Sequence, residues 1–151
     1  AVEYARKTHA EATATGLKDS HVHNLSAGYD ANNLYVAGGI QYGKNVSPVG
    51  STDINIATQT ENNAKTKEAQ ISAAYTFGAV TPKVTVAYGR ADSNNTAYDG
   101  GRYLQAIVGA DYAFSRRTTG LVSVGWLREK ANSDAKNVNN WGVGTGVVHK
   151  F

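Results

Sequence analysis

The clearest structural pattern in the sequence lies in its last eight residues, Gly144-Thr145-Gly146-Val147-Val148-His149-Lys150-Phe151. Tiny or basic residues alternate in it with bulky or apolar ones, and it ends on an aromatic residue. A β-strand with one side against lipid and the other against water must alternate with a period of two residues. A terminal aromatic ring then falls at the membrane boundary. The stretch is typical of the last strand of a transmembrane β-barrel.

The composition is lean in apolar residues for a chain that has to fill a compact core. Of 151 residues, 41% are hydrophobic, and the mean hydropathy is −0.40. No segment approaches the roughly 18 to 20 consecutive apolar residues of a transmembrane helix. The chain has no cysteine, which excludes disulfides and thiolate chemistry. The net charge of +3 comes from Lys and Arg scattered among Asp and Glu, a pattern that disfavours a nucleic-acid surface.

Alternating segments recur along the chain, and the connections between them are short and long in turn. The segments predict eight strands, at residues 1–9, 21–29, 34–42, 68–77, 83–90, 103–114, 119–129 and 141–151. The short connections are 30–33, 78–82 and 115–118, and the long polar ones are 10–20, 43–67, 91–102 and 130–140. Tight turns at one end and long loops at the other predict an antiparallel up-and-down β-barrel wall that crosses a membrane, with the long loops outside the cell.

In the predicted strands, the aromatic residues near the ends occupy alternate positions that share one side of the strand. Rings with a polar edge favour the interface between membrane and water. We therefore expect two belts on the lipid-facing side. The belt at the turn end is predicted to contain Tyr29, Tyr75, Phe77, Tyr112, Phe114 and Phe151, and the belt at the loop end Tyr42, Tyr88, Trp126 and Trp141.

The other parity carries mostly small or uncharged polar residues. A closed barrel of eight strands has an interior just wide enough for side chains to fill, and these residues are too small to fill it. A wide, water-filled lumen accepts them. The pattern therefore predicts half of the wall of a larger barrel, with these candidates for pore-lining residues: Gln70, Ser72, Thr76, Thr85, Gln105, Asp111 and Lys150.

Few residues suggest metal binding or catalysis. His21 and His23 share a strand face and could chelate a divalent cation, but no third ligand stands in obvious register. Asp19 beside His21 could form an acid/base pair, yet no activated serine or second carboxylate pair is recognisable nearby. We therefore expect no enzyme activity, no metal and no cofactor. Five basic residues could add a weak positive potential in or around a pore: Lys7, Lys83, Arg90, Arg102 and Lys150.

Two long segments carry a resemblance to a known family. The sequence from Tyr112 to Leu127 and the ending from Gly144 to Phe151 resemble the carboxy-terminal hairpin and the final strand of the neisserial-type trimeric major outer-membrane porins. Shorter matches support it at residues 25–30, 73–82 and 108–112. The resemblance covers essentially the whole chain. Val148 departs from it, because the family tends to have arginine at that place.

The resemblance implies a sixteen-stranded barrel, a homotrimer in the outer membrane of a Gram-negative bacterium, and passive diffusion of small hydrophilic solutes and ions with a preference for anions. We expect residues 1–151 to be the carboxy-terminal half of one barrel domain, with the lipid bilayer and the amino-terminal half as its partners. The barrel-assembly machinery is a further expected partner, since the resemblance implies an assembly signal at Gly146, His149 and Phe151. The alternative is a self-contained eight-stranded outer-membrane anchor, adhesin or surface antigen.

Overall fold

The computed structural model describes residues 2–7, 19–45, 64–93 and 99–151, and these form one antiparallel sheet. The sheet has eight strands in chain order, each paired with the one before it. They are β1 Val2–Lys7, β2 Ser20–Ala31, β3 Leu34–Lys44, β4 Lys65–Tyr75, β5 Val80–Asp92, β6 Arg102–Ala113, β7 Thr118–Lys130 and β8 Val138–His149. The all-β, up-and-down architecture is thereby confirmed. Of the long connections predicted at 10–20, 43–67 and 91–102, residues 10–18, 46–63 and 94–98 lie outside the described residues.

The three short connections are two-residue hairpin turns. Between β2 and β3, Asn32 and Asn33 have φ values of 55° and 64°, a left-handed conformation that asparagine tolerates better than most residues. Between β4 and β5, Phe77 and Val80 exchange backbone hydrogen bonds around Gly78, whose φ is 58°. These tight turns fix the register of the three hairpins that they close.

The strand β5 begins earlier than the sequence pattern predicted, at Val80 instead of residue 83. Pro82 lies inside this strand, although proline is a turn signal and has no N–H to donate. The ladder between β4 and β5 runs to Ala74 and Lys83 and resumes at Phe77 and Val80. The gap falls where Pro82 would have to donate a hydrogen bond.

Strands also extend further at the loop end than alternation predicted. β4 begins at Lys65 instead of residue 68, and β8 begins at Val138 instead of residue 141. Backbone pairing continues there beyond the apolar band, because polar side chains interrupt the hydropathy pattern but not the ladder. At the turn end, Phe77, Phe114 and Phe151 lie just beyond the strands in which they were predicted.

The described residues form no hydrophobic core. Ala64, Ala87 and Ala91 are the buried apolar residues among them, and no large side chain is fully buried. A single layer whose two faces are both open cannot be stabilised in the way of a sandwich, whose inner faces interdigitate. Within the described ranges, no helix is long and apolar enough to span a bilayer.

The sheet is open. β1 pairs with β2 and β8 pairs with β7, and no pairing joins β1 to β8 among the described residues. Each edge strand therefore presents a row of backbone groups without a neighbouring strand in this part of the chain.

Candidate functional site: the polar face of the sheet

Strand register sorts the described side chains of β2–β8 into two faces. We call apolar face the side that carries Leu25, Ile40, Tyr88, Leu104 and Trp126, and polar face the opposite side. The large apolar side chains that are exposed lie on the apolar face, with four exceptions: Tyr35, Leu121, Val138 and Val148. A contiguous apolar surface of this extent marks contact with lipid or with another protein.

The aromatic residues predicted for the membrane interface all have the parity of the apolar face. At the turn end, the rings of Tyr75 and Phe77 lie 4.4 Å apart, and those of Tyr112 and Phe114 lie 5.0 Å apart. Tyr29, near the same end, is 50% exposed. At the loop end, Trp126 and Trp141 are direct cross-strand partners. Their placement at the two ends of this face agrees with two belts, and their contact with a membrane stays a prediction.

The polar face carries a series of side-chain hydrogen bonds between neighbouring strands. Ser72 Oγ and Thr85 Oγ1 lie 2.9 Å apart, and Thr76 Oγ1 and Thr81 Oγ1 lie 3.0 Å apart. Near the loop end, the Asn140 amide donates to Glu129 at 3.1 Å. Short hydroxyl and amide side chains thus bond along the wall and leave the space above it open.

Tyr103 and Glu68 form a side-chain hydrogen bond that spans two strand pairs on the same face. Neither residue was singled out by the sequence pattern. The Tyr103 hydroxyl donates to Glu68 Oε2 at 3.0 Å. The two residues belong to β6 and β4, and Gly89 of β5 stands between them as the register partner of both. A Cβ at Gly89 would lie 2.2 Å from Tyr103 Cε1, so the ring occupies the space above the glycine. Parity with Gln70 and Gln105 would have placed both residues on this face.

Lys83 and Asp111 form an ion pair on the same face. Lys83 Nζ lies 2.7 Å from Asp111 Oδ2, across a diagonal of the β5–β6 ladder. The second carboxylate oxygen of Asp111 is buried and has no hydrogen-bond partner. The sequence pattern had flagged the two residues separately, Asp111 as pore-lining and Lys83 as a source of positive potential. The structure shows that the two charges offset each other.

Shallow concavities lie along the polar face. One of about 270 Å³ is lined by residues that include Asn24, Gln41, Glu68, Gln70 and Tyr103. Another of about 370 Å³ lies closer to the turns and is lined in part by Ser26, Tyr35, Gln70 and Ser72. Polar groups make up somewhat more than half of each lining. The surface suits hydrated solutes better than an apolar ligand.

The predicted pore-lining residues share this face. The structure brings together Gln70, Ser72, Thr76, Thr85, Gln105 and Asp111 on the polar face of β4–β6 and the turn that follows β4. Lys150 lies one residue beyond β8, where its backbone N–H bonds to Arg117 O. That these side chains line a pore stays a prediction.

The residues of the predicted assembly signal do not share one face. Gly146 pairs with Leu121 on the polar face. His149 lies on the apolar side, where it bonds to Thr118 at 2.9 Å and its ring lies 5.0 Å from that of Phe151. The two rings form an exposed edge-to-face pair at the turn end of the sheet.

Two of the basic residues expected in or around a pore lie on the apolar face rather than on the polar face. Arg90 and Arg102 are direct partners at the loop end of the apolar face, because their even positions in β5 and β6 point away from Lys83 and Asp111. Arg90 also bonds to Asp92 at 2.9 Å. The side chain of Lys7 lies outside the described part of the chain. His21 and His23 lie on the apolar side of β2, and the described residues contain no group of three or more His, Asp or Glu that could hold a metal ion.

Comparison with known proteins gives concordant results for the chain and its fold. A family model described as Gram-negative porin matches residues 2–151. The chain is 35% identical over 147 residues to the major outer membrane protein P.IB of Neisseria meningitidis serogroup A / serotype 4A, which covers 97% of this chain and 41% of that protein. It is 41% identical over 113 residues to the protein of the same name from Neisseria gonorrhoeae, which covers 75% of this chain and 30% of that one.

A solved structure shows a similar fold at low sequence identity. OmpT, an outer membrane protein of Vibrio cholerae, superimposes with a TM-score of 0.65 at 18% identity, over 88% of this chain and 41% of that chain. The chain thus spans well under half the length of the relatives that it matches.

Proposed function

Because the chain belongs to the Gram-negative porin family, we propose that it forms part of the wall of a water-filled channel for passive diffusion of small hydrophilic solutes and ions. The chain is an outer-membrane protein. Porin membership indicates a channel rather than an enzyme. The observation that carries the proposal is the pair of unlike faces: one sheet without a core, with hydrogen-bonded polar residues on one side and exposed apolar residues on the other.

In this proposal the polar face lines the lumen and the apolar face contacts lipid. Gln70, Ser72, Thr76, Thr85 and Gln105 then lie along the path of the solute. Their small, uncharged side chains keep the path open and hydrated. The aromatic residues at the two ends of the apolar face hold the wall at the two interfaces of the bilayer.

We further propose that the chain is the carboxy-terminal half of a barrel of about sixteen strands. The open sheet supports this reading, because edge strands cannot face hydrocarbon with unpaired backbone groups. β1 and β8 would pair with strands of the amino-terminal half. The self-contained eight-stranded alternative requires β1 to pair with β8, and the described residues contain no such pairing. A homotrimer and recognition by the barrel-assembly machinery follow from the family resemblance.

The anion preference gains no support from the strands described. The charged residues on the polar face of β2–β8 are Asp30, Glu68, Lys83, Asp111 and Glu129. Carboxylates are in the majority, and the one lysine is paired. We infer that a preference for anions in the whole protein originates in residues outside these strands.

Conductance across a planar bilayer tests the proposal. The full-length protein that contains this chain should insert in discrete steps of large conductance. A small barrel filled with side chains should conduct little under the same conditions. Absence of stepwise conductance from a correctly folded protein would contradict the channel and favour the anchor or adhesin.

A pair of variants in β8 ties the conductance to the polar face. Gly142→Trp adds a large ring to the polar face, where an added Cβ meets no atom within 4 Å, and it should lower the single-channel conductance. Thr145→Trp adds the same ring to the apolar face of the same strand and should leave the conductance unchanged. Equal conductance in both variants would place the lumen elsewhere.

A further inference from the structure

A hollow on the polar face forms where a glycine lies among amide side chains. Asn24 and Gln41 are direct register partners on β2 and β3. Gly39, two residues from Gln41 on the same face, pairs with Gln70 of β4 and has no side chain to fill the space between these amides. The result is the concavity of about 270 Å³ that Tyr103 also lines. We call it the amide hollow, after Asn24, Gln41 and Gln70.

One carboxylate supplies the charge of the amide hollow. Glu68 is the direct register partner of Gln41, and it is half-buried. Its Oε2 accepts a hydrogen bond of 3.0 Å from the Tyr103 hydroxyl, a neutral donor that leaves the negative charge in place. Among the described residues that line the hollow, Glu68 is the only charged one. A cation that enters the hollow therefore meets a carboxylate whose charge no lining residue offsets.

The ring of Tyr103 forms one wall of the amide hollow and lies over a glycine. Three of its atoms, Cδ1, Cε1 and Cζ, are the atoms nearest to the place that a Cβ at Gly89 would take. One face of the ring thus rests on the backbone of β5, and the opposite face is turned toward the open side of the sheet. The face of an aromatic ring attracts cations. Beyond the ring, Glu129 is the direct partner of Tyr103 and adds a second negative charge to this row.

We propose that the amide hollow binds the primary ammonium group of an organic solute that passes along the wall. This proposal rests on the proposed channel, whose lumen the polar face lines. An ammonium group has three N–H donors. Glu68 accepts one of them in a charge-assisted hydrogen bond, and the amide carbonyl oxygens of Gln41 and Gln70 accept the others. The charged end of the solute then lies against the open face of the Tyr103 ring.

The acceptors of the amide hollow favour a primary ammonium over other charged solutes. A divalent metal ion is held by a shell of several carboxylate and carbonyl oxygens, whereas the hollow is shallow and has one carboxylate. A quaternary ammonium has no N–H to donate to the amide oxygens. An anion is repelled by Glu68 and by Glu129. Among these solutes, the primary ammonium alone uses both the charge and the hydrogen-bond acceptors of the hollow.

Block of the single-channel current tests the proposal. The probe is butylammonium, titrated onto the full-length protein in a planar bilayer. The parent channel should show a reduction of current that depends on the concentration of the amine. Glu68→Gln should raise the half-blocking concentration on the order of fivefold, because it removes the charged acceptor. Tyr103→Phe keeps the ring but removes the hydroxyl that positions the carboxylate, and it should raise that concentration about twofold.

Filling the hollow tests its shape without a change of charge. An added Cβ at Gly39 makes ordinary contacts, the nearest at 3.4 Å to Leu25 O, so Gly39→Leu should fold and weaken the block about as much as Glu68→Gln. The matched control is Asp30→Asn, which removes an exposed carboxylate from the same face. Asp30 lies six residues along β2 from Asn24, roughly 20 Å away. This exceeds the Debye length in physiological salt, so the block should change by less than about 1.5-fold.

Conductance steps in amine-free salt show that each variant folds and conducts. Their absence in the parent would contradict the channel itself, whereas steps without block by the amine would contradict this proposal alone. Three further outcomes would overturn it. Equal weakening by Glu68→Gln and Asp30→Asn would make the effect one of charge anywhere in the lumen. Equal block by tetramethylammonium, which has no N–H donor, would leave the amides without a role, and undiminished block in Gly39→Leu would place the amine outside the hollow.

Discussion

The two faces of the sheet are built from the same strands, yet they hold together differently. On the polar face, neighbouring strands share side-chain hydrogen bonds, such as Ser72 with Thr85 and Tyr103 with Glu68. On the apolar face, between its two ends, branched and aromatic side chains stand exposed, such as Val108 at 59% and Val124 at 51%. Each face is therefore matched to its own solvent. Neither face is the inside of a globular protein.

The largest effect is expected from a charge placed on the apolar face. Val124→Lys puts an ammonium group on the apolar face of β7, near the middle of the band, and should cost about 2 to 4 kcal/mol of folding free energy in a bilayer. Ser123→Lys puts the same group on the polar face one residue away and should cost less than about 1 kcal/mol. Denaturant titration of the full-length protein in lipid vesicles measures both.

These neighbouring substitutions control for each other, because they change the same strand at the same depth. Equal losses of stability would mean that the two faces do not border different solvents. A larger loss for Ser123→Lys would indicate a dry interior on the polar side.

A smaller effect is expected where a tyrosine ring fills the space above a glycine. In Gly89→Ala, the added Cβ would lie 2.2 Å from the present position of Tyr103 Cε1. The ring must turn aside, which breaks its hydrogen bond to Glu68 and should cost about 1 to 2 kcal/mol. Gly142→Ala, whose Cβ meets no atom within 4 Å, should change stability by less than about 0.5 kcal/mol.

A double variant separates the ring contact from a backbone effect. Gly89→Ala in a Tyr103→Ala background should cost less than it does alone, because the clash is gone. If the cost stays the same with and without the ring, the glycine is required for its backbone and not for the tyrosine.

The apolar face has the same motif of an aromatic ring over a glycine, without the hydrogen bond. Phe114 lies over Gly120, where an added Cβ would come within 2.7 Å of Phe114 Cε2. Gly120→Ala should cost under about 1 kcal/mol, because the displaced ring loses packing but no polar partner and can turn into lipid. Thermal unfolding in vesicles compares it with Gly89→Ala. A cost for Gly120→Ala that equals or exceeds that of Gly89→Ala would contradict the role given to the tyrosine hydroxyl.

The smallest change in stability is expected from the Lys83–Asp111 ion pair, which is partly exposed. Its loss should cost at most about 1 kcal/mol. Selectivity is the more sensitive measurement, since both groups lie on the polar face. Lys83→Met leaves an uncompensated carboxylate and should shift the reversal potential in a salt gradient toward cations. Asp111→Asn should shift it toward anions, and shifts of the same sign in both variants would contradict their placement in the lumen.

Period-two alternation was enough to predict the fold, the strands and the face of most residues. Gln70, Ser72 and Thr85 lie on the predicted face, because parity survives any error at the end of a strand. Strand ends were less predictable. Pro82 is a turn signal, yet the two-residue turn at Gly78 ends before it, so that Pro82 lies inside β5. Lys65 and Val138 extend strands beyond the apolar band, where hydropathy carries no information about backbone pairing.

Contacts across the sheet could not be predicted, because they depend on register between strands. Lys83 and Asp111, which form an ion pair, are diagonal neighbours in the β5–β6 ladder and not direct register partners. The contact of Tyr103 with Glu68 spans two ladders and requires a glycine between them. Arg90 is a different case, because its parity within β5, which the sequence itself shows, places it on the face opposite Lys83.

Labelling of single cysteines distinguishes a polar face that borders water from an apolar face that borders lipid. The chain contains no cysteine of its own, so each position from 121 to 128 in β7 can carry one in turn. A membrane-impermeant thiol reagent should modify the odd-numbered positions of the full-length protein in vesicles and spare the even-numbered ones. Protection of all eight positions, or equal labelling of both sets, would contradict it.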